Sequence, residues 1–325
     1  MKQSEQHELD TARVEDTSGR ASLEDRRRVG VEVEFGGMSA RQAAEIVQYH
    51  QGGVINEIDA HRFSVKETRI GGILLELDSK YVHSPQEASG LERQVRRIAG
   101  DVTGSLVPTE LVTDPLPVSD LPEVDRLIVH LSEAGALGTQ QPHLACGLHL
   151  NIEWLDRDVT SILRVLQAYL LMAPALRDAI DLDTTRTLLP FIGRFPKAYE
   201  ARVLDPDYQP DFQTFVRDYC KSNSSKNREL DLLPLLASID ADAVREALGH
   251  EQEAVRPTFH YRLPNARLGD PDWSIVAEWK RWLTVEALAS DRMRLRERLC
   301  EWRGRNEWSD PVRSIRQLFN RVMSQ

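Results

Sequence analysis

The stretch RVGVEVEF, residues Arg28–Phe35, decides how the first half of this chain folds. Apolar and charged residues alternate along it, and a two-residue period is typical of a half-buried β-strand. Because residues i and i+2 project from the same face of a strand, Glu32 and Glu34 share one face and the valines share the other. The stretch therefore predicts a strand that buries one face in a core and presents two carboxylates on the opposite face.

Working outward from this strand, the chain alternates between strand-like and helix-like segments. The strand-like segments lie at residues 54–58, 63–67, 73–77, Thr109–Thr113, 144–153 and 255–263. Apolar residues recur at helical spacing in residues 39–49, 121–134, 158–180, 211–220, 241–248, 273–301 and 311–323. Ser39 and Asp158 are placed to act as N-caps of their helices. This order of elements predicts an α+β fold with a largely antiparallel sheet.

The same order predicts how the domain is organised. Residues 1–27 are polar and of mixed charge, so we expect a flexible N-terminal tail. Residues 28–325 are expected to form a single catalytic domain, with a helical insertion at about 158–250. The late strand near residue 260 is expected to return to the early sheet, which makes the helical part an insertion and not a separable domain.

Composition and charge exclude several classes of protein. The chain has 325 residues, of which 41% are hydrophobic and 28% charged, as in ordinary globular proteins. Its net charge of −10 argues against nucleic acid as a partner, because phosphate binding needs a basic surface. No uninterrupted run of about 18 apolar residues is found, so no membrane span is expected. Three cysteines without a short-range pairing pattern favour the cytoplasm, and the sequence leaves the possibility of an oligomer open.

Further strands carry side chains of the kind that bind metal on one face. By strand parity these are Glu76 with Asp78, Glu110, His149 with Asn151 and Glu153, and His260 with Arg262. One interpretation is a sheet with a single solvated face, which is common in antiparallel sheets. However, the set is dominated by Glu, Asp and His, and carboxylates that converge on one face repel each other unless cations neutralise them. Mg²⁺ and Mn²⁺ take such ligands, so the set favours a metal site.

The presence of Arg262 beside these residues predicts that the metal site also binds a phosphate group. A guanidinium grips a phosphate through its planar fork, and metal ions with an arginine are what phosphoryl transfer requires. The chain contains neither GxxxxGK[ST] nor GxGxxG, so no P-loop or Rossmann nucleotide site is predicted.

At these residues the sequence resembles the amidoligase family, a branch of the carboxylate–amine ligases with the glutamine synthetase and glutamate–cysteine ligase fold. The motifs that carry the resemblance are GVEVEF (30–35), ELDSKYV (76–82), PTELVTDPL (108–116), GLHLNIE (147–153), NRELDLLPLL (227–236) and RPTFHYRLPNARLGDPDWS (256–274). Each motif is weak alone, but their order and spacing over about residues 28–290 are specific.

The resemblance implies a curved antiparallel sheet with helices on its outer face, like the catalytic domain of glutamine synthetase. In such enzymes ATP phosphorylates a carboxylate substrate, and an amine substrate displaces the phosphate to form an amide. Glu32 and Glu34 resemble the paired carboxylates of the first strand, each serving a different Mg²⁺ or Mn²⁺ ion. Glu110, Glu76 and His149 resemble further metal ligands.

Other positions match the nucleotide and substrate side of the family's site. Arg262 resembles the arginine that steadies the transferred phosphoryl group, and Asn151 a polar group near the nucleotide or substrate. Asp78 is expected to face the substrate, and together with Arg262 and Glu34 it forms the expected catalytic set. The resemblance does not identify the acid or the amine.

This chain departs from the family's pattern at one position of the late strand. Where enzymes of the glutamine synthetase type often have Glu-x-Arg, it has His260 before Tyr261 and Arg262. His260 remains a candidate metal ligand, although the lost carboxylate changes the charge of the site. In the helical insertion, one of Arg186, Arg194 and Arg202 could contact phosphate, and Arg194 is the one we name. For each of the three, solvated surface is the favoured interpretation.

Two alternatives to a ligase stay open at this point. One is a nucleotide- or metabolite-binding module that keeps the fold and has lost turnover, which the histidine at position 260 makes plausible. The other is a metal-dependent hydrolase that uses the same carboxylates to activate water and needs no nucleotide.

Overall fold

The computed structural model describes residues 27–77, 107–140, 144–156, 158–183, 186, 192–223, 227–252 and 254–304. The strands are β1 (Arg28–Phe35), β2 (Val54–Asp59), β3 (Arg62–Thr68), β4 (Gly71–Leu77), β5 (Thr109–Thr113), β6 (Leu116–Pro117), β7 (Leu148–Glu153), β8 (Leu230–Asp231) and β9 (Thr258–Tyr261). The α-helices are α1 (Ala40–Gln51), α2 (Leu121–Glu133), α3 (Val159–Ile180), α4 (Lys197–Val203), α5 (Phe212–Ser222), α6 (Leu233–Ile239), α7 (Ala241–Leu248), α8 (Ile275–Ser290) and α9 (Arg292–Gly304). Asp78 and the helix expected at residues 311–323 lie outside the described residues.

Within the described residues, the strands form one nine-stranded sheet in the order β2-β3-β4-β5-β1-β7-β9-β8, and β6 pairs with β1. Every strand pairing in this sheet is antiparallel. Strand β1 lies in the interior of the sheet, between β5 and β7. The predicted α+β fold with an antiparallel sheet is thereby confirmed.

The late strand returns to the early sheet, because β9 pairs with β7 over Thr258–Tyr261. Strand β8 pairs with the other side of β9. Since Leu230–Asp231 lies inside the stretch that was expected to be helical, this stretch also supplies a short strand to the sheet. A strand of two residues is too short to show a period in the sequence.

The sheet buries its apolar face against helices. Val31 and Val33 of β1 are fully buried. Helix α1 packs against β3 and β4, and α3 packs against α8. The indole of Trp282 in α8 lies 5.2 Å from the ring of Tyr261 and 5.8 Å from that of Phe259, both in β9. The core therefore lies between the apolar face of the sheet and this helical layer.

Helix α3 is long and apolar enough to cross a membrane, judged by length and composition alone, with a hydropathy of 1.5. Arg164 and Arg177 interrupt its apolar run, which is why no such segment was expected from the sequence. Within the protein, 72% of the apolar window is buried. Packing in the core is therefore sufficient to account for the apolar composition of this helix.

Several helix ends follow from their capping residues. Ser39 caps α1 through a complete capping box with Gln42, and the Asp158 side chain accepts a hydrogen bond from Thr160 N at the start of α3.

The stretch 273–301, expected as one amphipathic segment, is two helices that meet at Asp291. The carboxylate of Asp291 accepts a hydrogen bond from Arg294 N, so it begins the second helix as an N-cap.

A buried charged group ties α3 to the end of the sheet. The Glu229 carboxylate accepts hydrogen bonds from Arg177 Nε at 2.7 Å and from the Tyr169 hydroxyl at 3.0 Å. The Glu229 carbonyl also accepts a hydrogen bond from Arg262 N at 2.8 Å. Burial, helped by the Glu229 charge, raises the pKa of Tyr169 well above its usual value, so the hydroxyl stays protonated and donates. Glu229 thus fixes the backbone at the residue that follows β9.

We expect Glu229→Gln to destabilise the fold by about 3 kcal/mol, because it leaves the half-buried Arg177 guanidinium without its counter-charge. Urea unfolding followed by circular dichroism measures this free energy. The matched control is Glu45→Gln, which removes an exposed i,i+4 ion pair with Arg41 and should change stability little. Equal effects of the two substitutions would contradict the structural role of Glu229.

Candidate functional site

The register of the central strand brings the sequence-predicted ligands together. Glu32 lies directly opposite His149 of β7, and Glu34 lies directly opposite Glu110 of β5. Residues opposite each other in antiparallel strands project from the same face, so carboxylates and an imidazole from three strands meet there. His260 of β9 pairs in register with Asn151 of β7 and joins the same face.

Four polar side chains surround the carboxylate of Glu32 on this face. Its Oε2 lies 3.0 Å from His149 Nδ1 and 3.6 Å from His260 Nε2. Its Oε1 accepts a hydrogen bond from Asn151 Nδ2 at 2.7 Å and lies 3.4 Å from Arg256 Nη1. Burial alone would raise the pKa of the Glu32 carboxyl, but the contact with His149 Nδ1 and the nearby charges of His149 and His260 hold the pKa well below its usual value. Glu32 is therefore an ionised carboxylate in a buried position.

Glu34 is held by the backbone and by the same histidine. Its Oε2 accepts a hydrogen bond from Gly147 N at 2.8 Å, and its Oε1 lies 3.8 Å from His149 Nε2. A Cβ on Gly147 would stand 2.5 Å from Arg186 Nη2 and 3.1 Å from His149 Nε2. Only glycine leaves room here for a buried guanidinium and an imidazole to approach the strand together.

Two sets of three side chains on this face could each hold a metal ion. One is Glu32, His149 and His260, and the other is Glu34, Glu110 and His149. Within each set the ligand atoms lie within 4.8 Å of one another. Both sets combine carboxylate oxygen with imidazole nitrogen, and divalent metal ions accept both kinds of donor.

The surroundings of His260 fit a metal ligand. In the described part of the chain its buried Nε2 has no hydrogen-bond partner, although it faces Glu32. Its Nδ1 lies 3.7 Å from Asp231 Oδ2 on β8. A histidine with one nitrogen near a carboxylate and the other nitrogen unbonded is the arrangement commonly seen at metal centres. An unsatisfied buried nitrogen is costly without such a ligand.

A model of the family described as "putative amidoligase enzyme" matches residues 25–284, about four fifths of the chain. The chain belongs to the amidoligase family. The match includes every residue of the two amidoligase ligand sets and every motif on which the sequence resemblance rests. Among the curated proteins with which it was compared, none matches the chain.

Arg262, Glu76 and Arg194 were also predicted to belong to the amidoligase site, and the structure places them differently relative to the two ligand sets. Arg262 follows β9 directly, shares the parity of His260 and is buried. Glu76 pairs in register with Glu110, but its Oε2 lies 2.8 Å from Arg62 Nε and it is in neither ligand set. Arg194 is exposed in the loop before α4, where its carbonyl accepts a hydrogen bond from Arg228.

Two residues of this face were missed in the sequence. Asp231 lies in the two-residue strand β8, opposite His260, and was hidden because so short a strand shows no alternation. Arg256 contacts Glu32 and has the same parity as His260 and Arg262, but Pro257 obscures the strand pattern at that point. Counting parity backwards from Arg262 through the proline is the signal that would have found it.

Arg186 is not solvated surface, and that expectation was wrong. It is 4% exposed, and its guanidinium donates to the carbonyl oxygens of Arg262, Leu263 and Pro264 and to Asn265 Oδ1, at 2.5–3.2 Å. Burial lowers its pKa, while the charge of Glu34 acts in the opposite direction. Arg186 therefore holds the segment after β9 against the strand that carries His149. Arg202, by contrast, is exposed and pairs with Asp218.

We expect Arg186→Met to lower the free energy of unfolding by at least about 3 kcal/mol, because several buried carbonyls lose a charged donor. Arg194→Met is the control, since it removes an exposed arginine from a neighbouring part of the chain. Thermal and urea unfolding of both variants measure the difference. If the two variants unfolded alike, Arg186 would not hold the segment after β9 in place.

Proposed function

We propose that this amidoligase is an ATP-dependent carboxylate–amine ligase that forms an amide through an acyl phosphate. The observation that supports this best is the pair of three-residue ligand sets that share His149 on one face of the sheet. Two positively charged side chains, Arg256 and Arg262, follow the same parity at the β9 side of these sets. Divalent cations and arginines around one point are what the transfer of a phosphoryl group requires.

Glu32, His149 and His260 would hold one divalent ion, and Glu34 with Glu110 would hold a second beside the same histidine. We propose Mg²⁺ or Mn²⁺, which when bound neutralise and orient the phosphate oxygens of ATP. Glu32 stays ionised because the histidines lower the pKa of its carboxyl. Asn151 keeps Glu32 oriented through its hydrogen bond to Oε1.

The proposed reaction has two steps. An oxygen of the substrate carboxylate attacks the γ-phosphorus of ATP, and the bond to the bridging oxygen breaks to release ADP. The nitrogen of the amine then attacks the acyl carbon, the C–O bond to phosphate breaks, and the amine gives up a proton as the amide forms. Arg262 is the proposed contact to the transferred phosphoryl group. A buried guanidinium is already fixed in place, so it can stabilise the negative charge of the phosphoryl group throughout the transfer without rearrangement.

Arg256 is suited to a different part of the same substrate complex. Its side chain is 39% exposed and lies 3.4 Å from Glu32 Oε1, so it stands at the rim of the ligand set. A cation in this position can receive an incoming anion, either a nucleotide phosphate or the substrate carboxylate. The identity of the acid and of the amine is left to substrate screening.

We expect Glu34→Gln and Arg262→Lys to reduce ADP formation by at least about a thousandfold. Glu34→Gln removes a negative charge from the proposed metal ligands, and Arg262→Lys keeps the positive charge but removes the planar fork that grips a phosphoryl group. The assay supplies ATP, Mg²⁺, a panel of amino acids and other small carboxylates, and hydroxylamine as the amine. Hydroxylamine converts an acyl phosphate into a hydroxamate, which a colour reaction with iron detects. Glu57→Gln, on exposed β2, is the matched carboxylate control and should keep full activity.

The same assay separates the alternatives. If product formed from an acid or amide substrate without nucleotide, the protein would be a metal-dependent hydrolase and not a ligase. If the protein bound ATP tightly but formed no ADP with any substrate of the panel, it would be a binding module without turnover. Normal turnover by Glu34→Gln would show that the assigned site is wrong.

A separate prediction concerns the metal ions. Mn²⁺ at about a hundred times its dissociation constant should raise the free energy of unfolding by about 2.7 kcal/mol for each ion bound. We expect His149→Gln to remove this stabilisation because both ligand sets use that residue, and His260→Gln to reduce it. Unfolding curves with and without Mn²⁺ measure the effect.

His130→Gln is the control for these variants, since His130 lies on the surface of α2 next to Glu133. The stability of each variant without Mn²⁺ reveals any damage to the fold itself. An unchanged response to Mn²⁺ in both His149→Gln and His260→Gln would exclude the proposed metal centre.

A further inference from the structure

A second concave site lies on the helical side of the molecule. It is a cavity of about 550 Å³ between α3, the loop before α5, the start of α5, and α9. Its lining includes Leu163, Arg164 and Gln167 of α3, Phe212 of α5, and Arg292 and Arg296 of α9. This volume is within the range of about 300–1,000 Å³ that is typical of small-molecule sites.

The cavity is separate from the carboxylate face of the sheet. Tyr169 of α3 faces the sheet, where the centroid of its ring lies 6.1 Å from that of Tyr261. Gln167 precedes it by two positions, or about 200° around the helix, and lines the cavity. Helix α3 therefore stands between the cavity and the sheet. The α9 wall also lies beyond residue 284, where the match to the amidoligase family ends.

The walls of the cavity are mainly apolar, and its charges are mainly positive. Arg292 and Arg296 lie one turn apart on α9, and neither has an ion pair or side-chain hydrogen bond to any residue that the structure describes. Arg164 is different, because Asp156 and Asp158 neutralise it. Two arginines on one helix face beside an apolar hollow are a receptor for an anionic group.

Gln167 adds a polar group inside the cavity. The side chain is only 6% exposed, and its Nε2 donates to Val203 O at 2.9 Å. Its Oε1 has no hydrogen-bond partner among the described residues. A largely buried amide with an unused acceptor on a cavity wall is an additional feature expected of a ligand site.

We propose that this cavity binds a free single-chain amphipathic acid. Its carboxylate would be received by Arg292 and Arg296, and its apolar chain would lie on the leucines and aromatic residues of the walls. The chain's own segment 305–325 is less suited to the site, because it carries four arginines against Glu307 and Asp310. A net positive segment does not complement a wall with two arginines that lack a partner among the described residues.

Isothermal titration calorimetry with sodium dodecanoate, below its micelle concentration, tests this proposal on the full chain. We expect one molecule to bind, and the double variant R292Q/R296Q to bind at least about tenfold more weakly. Arg294→Gln is the matched control, since it removes one positive charge from the same helix without touching the cavity lining. Dodecanol, which has the same chain without the charge, should bind more weakly than dodecanoate.

A second variant guards against adsorption at other surfaces. Leu163→Trp places a larger side chain at a half-buried lining position and should abolish dodecanoate binding by filling the hollow. Binding that persists in Leu163→Trp, or that is equally strong in R292Q/R296Q, overturns the proposal. Absence of dodecanoate binding to the unmodified chain, or tighter binding of dodecanol, overturns it as well.

Discussion

The pairing of β1 between β5 and β7 is the constraint on which the rest of the site depends. Its alternation puts carboxylates on one face and valines on the other, and its two neighbours are set in a register that aligns His149 with Glu32 and Glu110 with Glu34. A slip of one residue would exchange the two faces and bury both carboxylates in the core. Burial of Val31 and Val33 therefore fixes the register, and the register in turn assembles the ligand sets.

Two buried charged residues, Arg186 and Glu229, fix the backbone near the charged groups of this face. Arg186 holds the segment after β9 through its carbonyl oxygens, and Glu229 holds Arg262 N on the other side. Each of these charges is itself buried, so each depends on good hydrogen bonding to be tolerated. Burying these charges costs free energy, and in return the segment that carries Arg262 is held in a fixed position beside the carboxylate face.

How far the sequence predicts this arrangement depends on the length of each element. Glu32, Glu34, His149 and His260 could be predicted to share a face, because strands of four residues or more show the two-residue period. Asp231 could not, since its strand has two residues and its position depends on pairing with a strand far along the chain. The role of Arg186 was inaccessible for a related reason, because its partners are backbone carbonyls that carry no residue-specific signal.

Among the described strands, β2 forms one edge of the sheet, and its composition bears on self-association. Open edges offer unpaired amides and carbonyls to strands of other molecules, and proteins often protect such edges with charge and irregularity. Here the edge carries Glu57 and Asp59, and the pairing with β3 is shifted by an irregularity between these two residues. Another copy of β2 that paired at this edge would bring like charges together, and the strand that it met is irregular between Glu57 and Asp59. Assembly of copies by joining their sheets at this edge is therefore disfavoured.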